Sequence, residues 1–150
     1  MRILRGVLIS FALICFLIVP SVALSANWIF YGDTKTYEAY YDKESIISPQ
    51  ENILRVWDKH VYSDTGRREL IVGIRKDNMP TEGYENLFNS ISQLDLNCRT
   101  REFSTLSWTD YGPNGKTLYS SDVVKVTWKS ISPDSTIERL FRELCVPRNR

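Results

Sequence analysis

Few residues of this sequence could do chemistry, and the cysteines come first: Cys15, Cys98 and Cys145. The last two stand 47 positions apart, which is no C-x-x-C redox pair. Together with a single histidine, His60, they are too few for a structural zinc site. A Ser-His-Asp or Cys-His arrangement would need His60 beside a nucleophile, and no G-x-S-x-G elbow occurs. His60 therefore reads as an ordinary strand residue. Asp64-Thr65-Gly66 copies the tripeptide of aspartic proteases, whose chemistry needs two such aspartates sharing a proton. Here the tripeptide occurs once, flanked by Ser63 and Arg67-Arg68, so a hairpin turn explains it better. The acids show no calcium-loop spacing, and there is no Gly-rich phosphate loop. No catalytic, cofactor-binding or metal-binding residue is assigned.

The N-terminus has the layout of a secretory signal peptide. Arg2 and Arg5 precede a mostly apolar run from Gly6 to Leu24, broken by Pro20. Small residues then cluster at Ser21, Ala23, Ser25 and Ala26, and cleavage after Ala23 or Ser25 fits the small-x-small rule. The expected division is a signal over 1–26, one domain over 27–147 and a tail over 148–150. An uncleaved transmembrane anchor is the competing reading, opposed by Pro20 and the small residues. Cys15 follows Ile14 inside the apolar run, which does not suit lipid attachment.

Removing 1–26 takes away Arg2 and Arg5 and leaves 17 basic against 18 acidic residues, a formal charge of −1. That balance does not recommend nucleic acid. Arg67-Arg68, Arg75-Lys76 and Arg99-Arg101 could form a basic patch, but interspersed acids favour a solvated face. The remaining length, about 124 residues, suits one domain with a real core.

Short alternating runs of Tyr, Trp, Ile, Val and Thr predict strands. They cover Asn27–Tyr31 (ended by Gly32-Asp33), Tyr37–Asp42, Ile53–Tyr62, Ile91–Thr100 and Glu102–Tyr111, with closing strands over Lys116–Ser120 and Val123–Lys129. Alternation puts Tyr37, Ala39 and Tyr41 on one face, and separates Leu54 and Val56 from Arg55, Trp57 and Lys59. Adjacent Tyr40 and Tyr41 must face opposite ways, which leaves aromatic surface over. Ser63–Gly66 and Gly112–Gly115 read as turns. Residues 67–90 yield no assignment beyond a short helix or loop over Glu82–Asn89. The period then changes: Ile137, Leu140, Phe141, Leu144 and Cys145 mark one face of a helix. Either Ser132 with Pro133, or Ser135 with Glu138, starts it, and Pro147 stops it.

Cys98 falls on the apolar face of a predicted strand and Cys145 on that of the helix. If the helix packs on the sheet, the thiols meet in one interface, and an exported protein would oxidise them. Two separate buried thiols are the alternative.

Several tracts resemble the surface-adhesin protein E-like domain family. They are Trp28 to Tyr31, Tyr40-Tyr41-Asp42 with Ser45-Ile46, Val56-Trp57, the mid-chain cysteine, Trp128-x-x-Ile131-x-Pro133-x-Ser135, and the helix ending in Cys145. The likeness covers nearly all of 27–147. It implies an α+β fold, an antiparallel sheet with the C-terminal helix held on one face by a disulfide. The family's named member is a bacterial surface adhesin for host matrix and serum proteins, and this chain departs from it in lacking a lipidation site. No adhesive motif carries over residue by residue, so the binding surface is unassigned. The expected function is a non-enzymatic cell-envelope domain, periplasmic or at the cell surface, binding a protein or glycan through the sheet face or an edge strand. The competing expectation is a periplasmic domain holding a small ligand between helix and sheet.

Overall fold

Alternating apolar side chains along the strands divide the sheet into a covered and an open face. A computed structural model describes residues 25–122 and 125–146. The expected signal up to Leu24, with Cys15, lies outside them, as do Val123, Pro147 and the tail.

The strands are β1 (Trp28–Asp33), β2 (Tyr37–Asp42), β3 (Ile47–Gln50), β4 (Ile53–Tyr62), β5 (Asn89–Asn97), β6 (Glu102–Tyr111), β7 (Thr117–Asp122) and β8 (Lys129–Ser130). They form one eight-stranded sheet in the order β1-β2-β4-β5-β6-β7, antiparallel throughout. After a 3-10 turn over Lys43–Ser45, β3 continues along the β2 side of β4. In the same way β8 continues beyond β7 along β6. With β3 taken as the continuation of β2 and β8 as that of β7, neighbours in space are neighbours in sequence, and the meander is interrupted once, by helix α1 (Asp64–Lys76) between β4 and β5. Helix α2 (Thr136–Cys145) closes the chain.

Tyr41, Val56, Leu94, Leu96 and Leu140 of α2 form the main core. Ile137, Phe141 and Leu144 share the α2 face expected from their spacing, and that face lies on the sheet. The helix crosses β1 closely: a Cβ on Gly32 would stand 3.0 Å from the Arg139 side chain. Cys98 and Cys145 are joined, with Cα atoms 5.3 Å apart. Between the two caps the structure selects Ser135, whose hydroxyl accepts from the Glu138 amide at 3.2 Å. Glu138 does not complete a capping box on Ser135. It accepts instead from the Asp134 amide at 2.7 Å, and from Arg101 and Arg142 at 2.9 and 3.2 Å.

A second cluster, Ile74, Tyr84 and Leu87 with Tyr62, Leu70 and Leu118, holds α1 on the same sheet face at the other end. Among the described residues the opposite face therefore carries no helix.

Four expectations are corrected. Ser63–Gly66 is not a hairpin turn but the start of α1, with the Ser63 hydroxyl accepting from the Gly66 amide at 3.1 Å. The first strand runs on through Gly32-Asp33 because a bulge between Phe30 and Gly32 absorbs the irregularity. The mid-chain strand spans Asn89–Asn97, so Cys98 lies just past its end. There the Asn97 side chain accepts from the Arg99 and Thr100 amides and turns the chain. Last, residues 125–128 leave the sheet, and only Lys129–Ser130 returns to it.

Candidate binding faces

On the open face, register places Phe30, Tyr40, Lys59, Ile91 and Thr109 side by side across five strands. Phe30 and Tyr40 meet edge to face, with centroids 5.6 Å apart. The Lys59 ammonium sits 4.3 Å from the Trp28 ring centroid and 5.1 Å from that of Tyr40. Burial beneath these rings lowers its pKa. Trp57, Ile91 and Tyr111 continue the surface around a shallow depression. Phe30 is 52 % exposed and Trp57 36 %. Beside it Arg55 clamps Asp95 with two bonds, at 2.7 and 2.9 Å. The surface offers aromatic area around the Lys59 ammonium, with the Arg55 guanidinium already held by Asp95.

On the covered face, between the two helices, the only histidine enters a polar cluster. His60 Nε2 lies 3.1 Å from Asp58 Oδ2, and the Tyr31 hydroxyl donates to Asp58 at 2.8 Å. Burial first, then the Asp58 charge, raises the Tyr31 pKa, so its proton stays in place. Tyr37 stacks on His60 at 4.0 Å and donates to Thr136 at 3.2 Å. Among the described residues no Ser, Thr or Cys side chain hydrogen-bonds to His60. The cluster ties β1, β2 and β4 to the start of α2 and assembles no nucleophile–base pair.

Beyond that cluster, a cavity of about 490 Å³ opens between α1 and strands β6–β7. Leu70, Ile74 and Leu118 line it, with Trp108 and Tyr119 packed at 5.9 Å. Asp110, only 7 % exposed, also lines it and accepts from the Tyr84 hydroxyl at 2.7 Å and from Ser90. Burial and the Asp110 carboxylate both raise the Tyr84 pKa, which keeps that donor protonated. Residues 67–90 lack a plain sequence signal, and the cavity wall is built largely from them.

The remaining sequence candidates do not converge. Asp64 pairs with Arg67 on the surface of α1. Arg67-Arg68 and Arg75-Lys76 belong to α1, whereas Arg99-Arg101 lies in the β5–β6 turn at the opposite end of the sheet. Among the described residues no group of three or more His, Cys, Asp or Glu could hold a metal, and no helix is long and apolar enough to cross a membrane.

The profile of the surface-adhesin protein E family matches residues 28–146. The chain belongs to this family. Among solved structures it is similar to protein E from non-typeable Haemophilus influenzae, at 13 % identity, over 84 % of this chain and 80 % of that one, with a TM-score of 0.50. It is also similar to crystal form II of Haemophilus influenzae protein E, at 14 % identity, over 77 % and 91 % of the two chains, with a TM-score of 0.47. No curated protein matches the chain. Family membership thus agrees with the expected antiparallel sheet, C-terminal helix and Cys98–Cys145 bond, while identities this low speak to fold and not to partners.

Proposed function

We propose that this chain is an exported, non-enzymatic domain of the bacterial cell envelope that binds a protein partner on the open face of its sheet. Residues 1–26 are read as a cleaved export signal, 27–147 as the binding domain and 148–150 as a tail. The observation that carries the reading is the aromatic surface around Lys59. Trp, Tyr and Phe are the side chains that dominate protein interfaces, and here they are displayed on rigid strands. Lys59 already covers one π face each of Trp28 and Tyr40. Their outer edges suit packed side chains better than stacked sugar rings, which favours protein over glycan. Membership of an adhesin family supports a surface role.

The test is capture of matrix proteins, serum proteins and envelope extracts by the purified protein and by Phe30→Ala and Trp57→Ala variants. Both residues are exposed, so both variants should fold. Each is expected to weaken binding at least about tenfold, as truncation of an interface anchor does. Unchanged capture by both variants would remove this face from consideration.

A further inference from the structure

The cavity between α1 and β6–β7 lies on the sheet face opposite the proposed partner surface, so this inference goes beyond that function and fails separately from it. We infer that it binds a small organic cation, a substituted ammonium on an apolar body. Its volume of about 490 Å³ is that of a small-molecule site. Hydrophobic side chains form the walls, and an alkyl or aryl body would replace water there. The polar groups of the lining carry one sign only. Asp110 is buried among apolar and aromatic side chains, Asp77 and Glu82 stand exposed at the margin, and the lining includes no Lys, Arg or His. Tyr84 and Ser90 give Asp110 hydrogen bonds but no positive charge. Among the described residues no cationic side chain pairs with it. A carboxylate held in such surroundings is stabilised by a cation brought into the cavity. Trp108 and Tyr119 bring two aromatic rings to the lining, a type of group whose π face attracts an ammonium and gains nothing from its neutral counterpart by charge. Anionic ligands meet like charge.

Calorimetric titration of the purified protein with benzyltrimethylammonium and with neopentylbenzene, its neutral carbon isostere, separates charge from shape. The ammonium is expected to bind at least about tenfold more tightly, in line with a desolvated cation–π contact joined to a carboxylate. Tyr119→Ala, at a side chain 41 % exposed, should keep the fold and weaken the ammonium several-fold. Asp110→Asn should bring the two ligands close to parity, with the thermal transition reporting whether that variant is folded. Equal or tighter binding of neopentylbenzene overturns the cationic assignment but leaves a cavity for apolar ligands. No saturable binding of either compound overturns the site altogether. Trp57→Ala, on the opposite face, should leave both titrations unchanged.

Discussion

Glu138 joins three pieces of chain through one carboxylate: the loop before α2 at the Asp134 amide, the β5–β6 turn at Arg101, and its own helix at Arg142. Those partners, the backbone amide foremost, lower its pKa. The sign follows from linkage. A carboxyl that ionises more readily when folded adds stability above its unfolded pKa and loses it as pH falls through the folded one. Glu138→Gln is therefore expected to lower the melting temperature at pH 7, with the gap to the parent protein closing in acid, below pH about 4.5; melting curves from pH 3 to 7 check it. Leu140, fully buried beneath the same helix, is expected to cost about 2–5 kcal/mol when cut to alanine, measured by urea unfolding. Much at this scale was legible. The spacing of Leu140 with Ile137 and Leu144 named the buried stripe, and of the two readings of the cysteines the structure has the paired one, which rested on the helix packing against the sheet. The Lys59–Trp28 contact was not legible, because alternation assigns a face within each strand but not the register between strands.

Helix α1 is the element that the sequence concealed. Its apolar positions, Leu70, Ile71, Val72 and Ile74, are bunched in one run, with Val72 exposed, and sit among Arg67, Arg68, Glu69, Arg75 and Lys76, with Gly73 inside the run. A signal was nonetheless present: Ser63 as cap, Asp64 in the first turn, and Arg75-Lys76 in the last, each matching the helix dipole. Its two glycines should respond in opposite directions. A Cβ on Gly66 would fall 2.0 Å from the Thr36 carbonyl oxygen, so Gly66→Ala must push α1 away from the β1–β2 turn and destabilise the fold. At Gly73 nothing lies within 4 Å, and alanine there should stabilise by about 0.5–1 kcal/mol. Denaturant midpoints of the two variants decide this. For α2 the comparable test is reduction. Opening the Cys98–Cys145 bond is expected to remove up to about 4 kcal/mol, given its separation of 47 residues. Unfolding with and without reductant measures that loss.

For the molecule as a whole, consecutive strands that pair with one another explain why the antiparallel sheet could be anticipated: turns such as Gly112–Gly115 mark where the chain reverses. The layering was less accessible, since both helices share one side and only one of them carries a strong period. The same layout predicts a gradient of protection. Amides of β4 and β5, each flanked by strands on both sides, should exchange most slowly with solvent, and those of β7 and β8 at the margin most rapidly; amide hydrogen exchange at neutral pH tests that order. The sulfur link gives this plan a mechanical property. Pulled from its two ends, the chain cannot pay out the 47-residue span between its linked cysteines, which withholds about 160 Å of extensible backbone. In a force–extension trace that length should be missing under oxidising conditions and return once a reductant is added.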